Sequence, residues 1–211
     1  MKRSLQALIV VLCLVSFDST SSAILLHDTG IPTVIGLAGN VNAWTWRAGK
    51  FTIDEPGYNI TDIEGYFASF PNAGGNFIMD IREEGAGFPS SSVLYSGTFF
   101  LPPSSTGGWE YGWYGLHGLT GWLLEPNHYW VVFRGDPDYD YPNYIQPGGM
   151  TYNAPNPLAA YAYSLHGVWG LESVSFGVRI AGEPVPEPAT MLLLGSGLLG
   201  LAGLRRKFRR K

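Results

Sequence analysis

The stretch Asn76-Phe-Ile-Met-Asp-Ile-Arg82 alternates between apolar and mixed side chains. In an extended chain Phe77, Met79 and Ile81 fall on one face, and the residues between them fall on the other. This alternation is typical of a β-strand that covers an apolar core with one face. The preceding turn, Pro71-Asn-Ala-Gly-Gly75, separates this strand from an earlier one.

The same pattern recurs through the middle of the chain. Short alternating runs are separated by Gly, Pro and Asn, and no long run of helical period interrupts them. We therefore predict an all-β fold, a single jelly-roll-like β-sandwich over residues 24–184. The predicted strands are 50–54, 58–70, 76–82, 93–101, 109–114, 121–124, 128–134, 160–165 and 174–181, with predicted loops at 83–92 and 135–157.

The charge of this central part excludes one class of partner. Residues 24–184 contain five basic and 15 acidic side chains, a net charge near −10, although the whole chain carries only −4. Binding to nucleic acid needs a basic surface that neutralises phosphates, so we expect no nucleic-acid partner. All seven Trp and all 12 Tyr also lie here, a composition that fits an extracellular β domain.

The N-terminus has the features of an export signal. Met1-Lys-Arg3 is basic, an apolar run follows, and Ser21-Ser-Ala23 supplies small residues at the cleavage positions. We predict a secretory signal peptide over residues 1–23. The single cysteine, Cys13, lies inside it, so the mature chain has no disulfide.

The C-terminus has three parts in a fixed order. Val185-Pro186-Glu187-Pro188 is followed by an uncharged apolar run at 189–204 and then by the basic tail 205–211, which begins with Arg205 and Arg206. The apolar run predicts a transmembrane helix of about 24 Å, short for a hydrocarbon core of about 30 Å. The basic tail is expected to stay on the cytoplasmic side. A plain tail anchor is the alternative.

Residues 185–211 closely resemble the PEP-CTERM sorting signal of exported bacterial proteins. The resemblance implies recognition by an exosortase-type membrane protease, a membrane-anchored precursor and tail removal. It also implies a final place at the cell surface or in the extracellular matrix of a Gram-negative-type bacterium, with association with an exopolysaccharide envelope.

A second resemblance covers about residues 44–181. The order of segments is similar to that of the choice-of-anchor domains that often precede such tails, and these domains suggest no activity to transfer. The segments that carry the resemblance are Phe51-Thr52, Tyr58-Asn-Ile-Thr-Asp-Ile63, Phe77-Ile-Met-Asp-Ile81, Phe88-Pro-Ser-Ser-Ser-Val-Leu94, Tyr129-Trp-Val-Val-Phe133 and Ser175-Phe-Gly-Val-Arg-Ile180.

An acidic loop is the candidate metal site. Asp136, Asp138 and Asp140 alternate over a short stretch, and Asn143 adds a carbonyl oxygen. Ca²⁺ takes several hard oxygen ligands, so calcium is the candidate cofactor, although the loop lacks the Gly and the distal Glu of an EF-hand. The alternative is a solvated acidic loop without metal.

Trp109, Tyr111 and Trp113 are the candidate carbohydrate site. They alternate along one predicted strand, so their rings share a face. If these rings enter the core, each buries about 150–250 Å². If they lie outside, they form a platform on which sugar rings stack. The first arrangement is the expected one.

The sequence carries no strong signal for catalysis. It has no Gly-x-Ser-x-Gly nucleophile elbow and no His-Glu-x-x-His helix. His117 and His166 occur in similar frames, which indicates either a paired metal site or two similar turns at strand ends.

We therefore predict a non-enzymatic, exported surface or matrix protein with no catalytic residues. The alternatives are a carbohydrate-binding module of the cell surface and, third, a secreted hydrolase.

Overall fold

The computed structural model describes residues 22–33, 39–71, 74–137 and 148–185, together with Gly195 and Gly197. Among these residues it contains no helix both long enough and apolar enough to cross a membrane. The predicted signal peptide lies outside them, apart from Ser22 and Ala23, and so does the predicted transmembrane helix, apart from those two glycines. Both stay predictions.

The described chain is all-β, which confirms the predicted fold class. The strands range from 3 to 14 residues, and most follow a turn or a Gly- or Pro-containing stretch. The strands are β1 (Ile24–Asp28), β2 (Thr45–Ile53), β3 (Tyr58–Ser69), β4 (Gly75–Gly85), β5 (Phe88–Leu101), β6 (Glu110–Leu116), β7 (Trp122–Leu124), β8 (Asn127–Gly135), β9 (Gly148–Met150), β10 (Ala160–Leu165), β11 (Val168–Glu172) and β12 (Val178–Pro184).

These strands form two six-stranded sheets. The first sheet has the order β1-β12-β3-β6, and both β7 and β9 also pair with β3. The second sheet has the order β11-β10-β2-β8-β4-β5. Every strand pair in the described chain is antiparallel, and the first strand lies beside the last one.

The two sheets share one apolar core. Phe77, Met79 and Ile81 on β4 are fully buried, as the alternation predicted. The ring of Phe67 on the first sheet lies 5.3 Å from that of Phe77 and 5.7 Å from that of Phe133, both on the second sheet. Contacts of this kind hold the sheets face to face, because burying an aromatic side chain removes a large apolar area from water.

Several predicted boundaries are wrong. Residues 83–92 are not a loop, because β4 and β5 continue to a tight turn at Ala86 and Gly87, both with positive φ. The predicted loop 135–157 contains β9, and β1 and β11 were not predicted. All three strands are short. β1 and β9 pair with β12 and β3, which lie far away in the sequence, whereas β11 forms a hairpin with β10 through the turn at His166 and Gly167.

Candidate functional site

The outer face of the first sheet carries an aromatic and charged group that we call the Trp113 cluster: Trp113, Tyr66, Arg179 and Asp28. Trp113 on β6 lies directly opposite Tyr66 on β3, with ring centroids 5.2 Å apart. The guanidinium of Arg179 lies 4.0 Å from the centroid of the Trp113 ring, and its Nε donates to Asp28 at 3.2 Å. The arginine therefore covers one part of the indole.

This arrangement corrects the expectation that Trp109, Tyr111 and Trp113 enter the core. None of the three belongs to the buried core, and Trp109 precedes β6 and is 42% exposed. The physical reason lies on the inner face of β6. Gly112 and Tyr114 lie there, and a Cβ on Gly112 would lie 3.1 Å from Tyr114 Cε2, so the ring of Tyr114 already fills the space beside this position.

The two similar histidine frames do not form a joint site. His117 follows β6 of the first sheet, and its Nδ1 lies 3.2 Å from Asp62 Oδ1. His166 lies in the turn between β10 and β11 of the second sheet, with its ring 5.3 Å from that of Trp44. Within the described residues no group of three or more His, Cys, Asp or Glu side chains is placed to hold a metal.

The outer face of the second sheet holds a buried carboxylate. Asp80 is completely buried, although its strand position points away from the core shared by the sheets. It accepts hydrogen bonds from Arg82 Nη2 at 2.7 Å, Arg134 Nε at 3.0 Å and Ser96 Oγ at 2.7 Å. Burial raises the pKa of Asp80, but the hydrogen bonds from Arg134, Arg82 and Ser96 outweigh it, so this pKa lies below its usual value.

Trp46 completes this arrangement, which we call the Trp46 face: Trp46, Asp80, Arg82, Arg134 and Trp169. The guanidinium carbons of Arg82 and Arg134 lie 5.5 Å and 5.6 Å from the Trp46 ring centroid. The ring of Trp169 meets that of Trp46 edge to face at 6.1 Å. Aromatic and guanidinium groups therefore lie side by side across this sheet.

Small and covered residues form the floor of the same face. Ala48, Val132 and Ala162 are fully buried beneath the larger side chains. Trp130 is also fully buried. Trp130 lies on β8, and the ion pair between Lys50 on β2 and Glu84 on β4, 2.7 Å long, crosses over β8.

The Trp46 face was not predicted from the sequence. The pattern Asp80, Ile81, Arg82 places both charges on one side of a strand, and that signal is visible in the sequence. The partners Trp46, Arg134 and Trp169 come from three other strands. Only the strand order of the second sheet brings them together.

A cleft opens between the sheets where β1 and β2 approach each other. Its volume is about 300 Å³, and its lining includes His27, Lys50 and Asn156. The ring of His27 lies across it, with Nε2 3.0 Å from the carbonyl oxygen of Thr52. This contact ties the edge of the first sheet to the second.

The acidic loop is described only at its beginning. The backbone N–H of Asp136 donates to Asn76 O at 3.1 Å. Asp138 and Asp140 lie outside the described residues, so the calcium site stays a prediction.

The predicted sorting segment begins where the first sheet ends. Pro184, the last residue of β12, pairs with Tyr58, and the N–H of Val185 donates to Gly57 O at 3.1 Å. Pro186, Glu187, Pro188, Arg205 and Arg206 lie outside the described residues.

These features define an all-β domain whose last strand runs directly into a C-terminal sorting segment. A family model described as the PEP-CTERM protein-sorting motif matches residues 184–207. The chain therefore carries a PEP-CTERM sorting motif, as its sequence predicted. The motif implies export, a membrane-anchored precursor and processing by exosortase, a membrane protein of Gram-negative bacteria. No curated protein matches the chain.

Proposed function

We propose that the chain is a non-enzymatic surface or matrix protein that associates with an exopolysaccharide envelope. Its parts are a signal peptide at 1–23, a jelly-roll-like β-sandwich at 24–184 and a sorting segment at 185–211. The observation that carries this proposal is the sorting motif at residues 184–207, which starts on the last residue of β12. The last strand of the folded domain thus continues into the sorting motif without a linker.

The charged groups of the folded part support a structural role. Arg47 pairs with Glu172, Lys50 with Glu84, and Arg179 with Asp28. Asp80 accepts hydrogen bonds from two arginines. Charged side chains that are paired with one another stabilise the fold, and their charges are already neutralised within the protein rather than available to a substrate.

Processing in the native host tests the sorting step. We expect the tail to be removed near Pro186-Glu187-Pro188, so intact mass spectrometry of the mature protein finds a C-terminus close to this motif and an N-terminus at Ile24. Replacement of all three residues by Ala is expected to leave precursor in the membrane, because the protease loses its recognition motif.

The matched control is Ala189→Ser, which leaves the three motif residues unchanged and is expected to be processed normally. Mature protein that mostly retains Lys211 contradicts the proposal. The matrix association has a separate test, because deletion of the exopolysaccharide genes should move the mature protein from the matrix fraction to the medium.

A carbohydrate-binding module is the second candidate. It is supported by two exposed aromatic side chains that lie just before strands: Trp109, before β6, is 42% exposed, and Trp44, before β2, is 61% exposed. Exposed aromatic rings of this size often mark a binding surface.

A further inference from the structure

The Trp46 face has a local charge that differs from the rest of the domain. Three of the five basic residues of 24–184 pair with one carboxylate each. Arg82 and Arg134 instead share Asp80 between them. The face therefore has one positive charge in excess, within a domain whose net charge is near −10.

Arg82 and Arg134 differ in how many of their hydrogen-bond donors are already used within the protein. Arg82 donates to Asp80 and also to Ser90 O at 3.2 Å, and its side chain is only 8% exposed. Arg134 directs Nε and Nη2 to Asp80, and its side chain is 19% exposed. Its Nη1 makes no hydrogen bond to any residue that the structure describes. Asp80 and Trp46 thus fix the plane of a guanidinium that keeps one donor for an anion.

Aromatic surface lies next to this donor. Trp46 and Trp169 are half-buried, and Ser164 lies between them in the strand register. Ser164 is fully buried, and its hydroxyl has no partner among the described residues. From β11 to β8 the face crosses three strand spacings, about 14 Å. Two aromatic rings and a cation thus follow one another along one line.

A chain of acidic sugars matches this order of groups. Each uronate ring has an apolar face that packs on an indole and a carboxylate that accepts a charge-assisted hydrogen bond from a guanidinium N–H. A neutral polysaccharide has no group for Arg134. A strongly acidic domain repels a polyanion except where it carries a local positive excess.

We propose that the Trp46 face binds an acidic polysaccharide, with a uronate carboxylate on Arg134 and sugar rings against Trp46 and Trp169. This inference rests on the proposed association with exopolysaccharide. It also places the saccharide on the second sheet, away from Trp109, Tyr111 and Trp113.

The test uses the mature protein purified from its host, with polygalacturonate as the acidic probe and dextran of similar length as the neutral one. Affinity electrophoresis should show retardation by polygalacturonate that falls with added salt, and none by dextran. Trp169→Ala and Arg134→Gln are each expected to weaken polygalacturonate binding about tenfold or more, the loss of one aromatic or charge-assisted contact.

Trp109→Ala is the matched control, because it removes an exposed tryptophan next to the first sheet and should leave polygalacturonate binding unchanged. Arg134→Gln also takes a partner from Asp80, so the melting temperature of each variant is measured alongside. Trp169→Ala leaves the Asp80 hydrogen bonds in place and keeps the test valid if Arg134→Gln does not fold.

Two outcomes overturn the inference. One is unchanged polygalacturonate binding by folded Trp169→Ala protein. The other is binding to dextran that Trp109→Ala abolishes, which leaves the matrix proposal standing and moves the site to the first sheet. If the wild-type protein binds neither probe and also stays in place in cells without exopolysaccharide, the proposed function fails as well.

Discussion

Asp80 is an ionised carboxylate without exposed surface on the side of a sheet that faces away from the shared core. Its charge is tolerable there because two guanidiniums and a hydroxyl donate to it. The hydrogen bonds to the Asp80 carboxylate therefore determine both the stability of the Trp46 face and the orientation of Arg134.

We expect Asp80→Asn to lower the free energy of unfolding by about 3–5 kcal/mol, because the buried Arg82 and the partly buried Arg134 lose their counter-charge. Urea denaturation at neutral pH measures this change. Ser96→Ala is the control; it removes one hydrogen bond and should cost only about 1 kcal/mol. Equal effects of the two variants would count against the ionic role.

The same network predicts how acid acts on the protein. The pKa of Asp80 is lower in the folded chain than the value of about 3.9 for an unfolded aspartate. The stabilisation is therefore fully present above about pH 4 and is lost as the pH falls through the folded pKa. The difference in unfolding free energy between wild type and Asp80→Asn should shrink below pH 4, and a difference independent of pH would contradict this assignment.

At the scale of the elements, packing between the sheets depends on a glycine in the core as well as on large side chains. A Cβ at Gly65 on β3 would lie 2.6 Å from Phe67 Cε2, 2.8 Å from Met150 Cε and 2.9 Å from Phe133 Cε1. Real carbon atoms do not approach so closely, so β3 passes the core only because this position is glycine.

Gly65→Ala is therefore expected to destabilise the fold by about 1–3 kcal/mol through overpacking. Thermal unfolding followed by circular dichroism measures the loss. Gly108→Ala is the matched control, because a Cβ there has only Thr106 Oγ1 nearby, at 3.9 Å. A Gly65→Ala protein as stable as the control would show that the core accommodates the methyl group.

The loop after β8 carries the calcium prediction. If Asp136, Asp138 and Asp140 converge, millimolar Ca²⁺ should raise the melting temperature, since the ion binds the folded state preferentially. A triple Asp→Asn variant is expected to lose this gain while keeping its melting temperature without calcium. An unchanged wild-type melting temperature, with Mg²⁺ as the ionic-strength control, would leave the loop as solvated acid.

At the scale of the whole molecule, both ends of the folded part lie together. Ile24, the first residue after the predicted signal peptide, pairs with Gly182, two residues before the sorting motif begins. The hydrogen bond from Val185 to Gly57 leaves no spare chain between β12 and Pro186. We therefore expect the folded domain to lie close to the membrane while its tail is still attached.

This geometry predicts that a short Gly-Ser spacer inserted between Val185 and Pro186 speeds tail removal, because it gives the protease room beside the sheet. Pulse–chase labelling in the native host follows the loss of the precursor. A spacer of equal length in the exposed turn at Gly107 is the control. Slower tail removal in the variant with the spacer between Val185 and Pro186 would indicate that the protease requires β12 next to its recognition motif.

Sequence alone was enough to identify the sorting motif and to predict an all-β fold. The order of Pro-Glu-Pro, apolar run and basic tail is local and needs no tertiary contact to be recognised. The alternation of Phe77, Met79 and Ile81 was likewise enough to predict an inward face, because side chains alternate in any strand.

Only the tertiary structure decided which face the remaining side chains take and which of them meet. Trp113 lies outside because β6 pairs with β3 in a register that places it opposite Tyr66 and places Gly112 opposite the buried Phe67. Asp80, Arg134, Trp46 and Trp169 meet because β4, β8, β2 and β11 belong to one sheet. Such pairings join residues far apart in the chain, and local alternation fixes neither the partner strand nor its register.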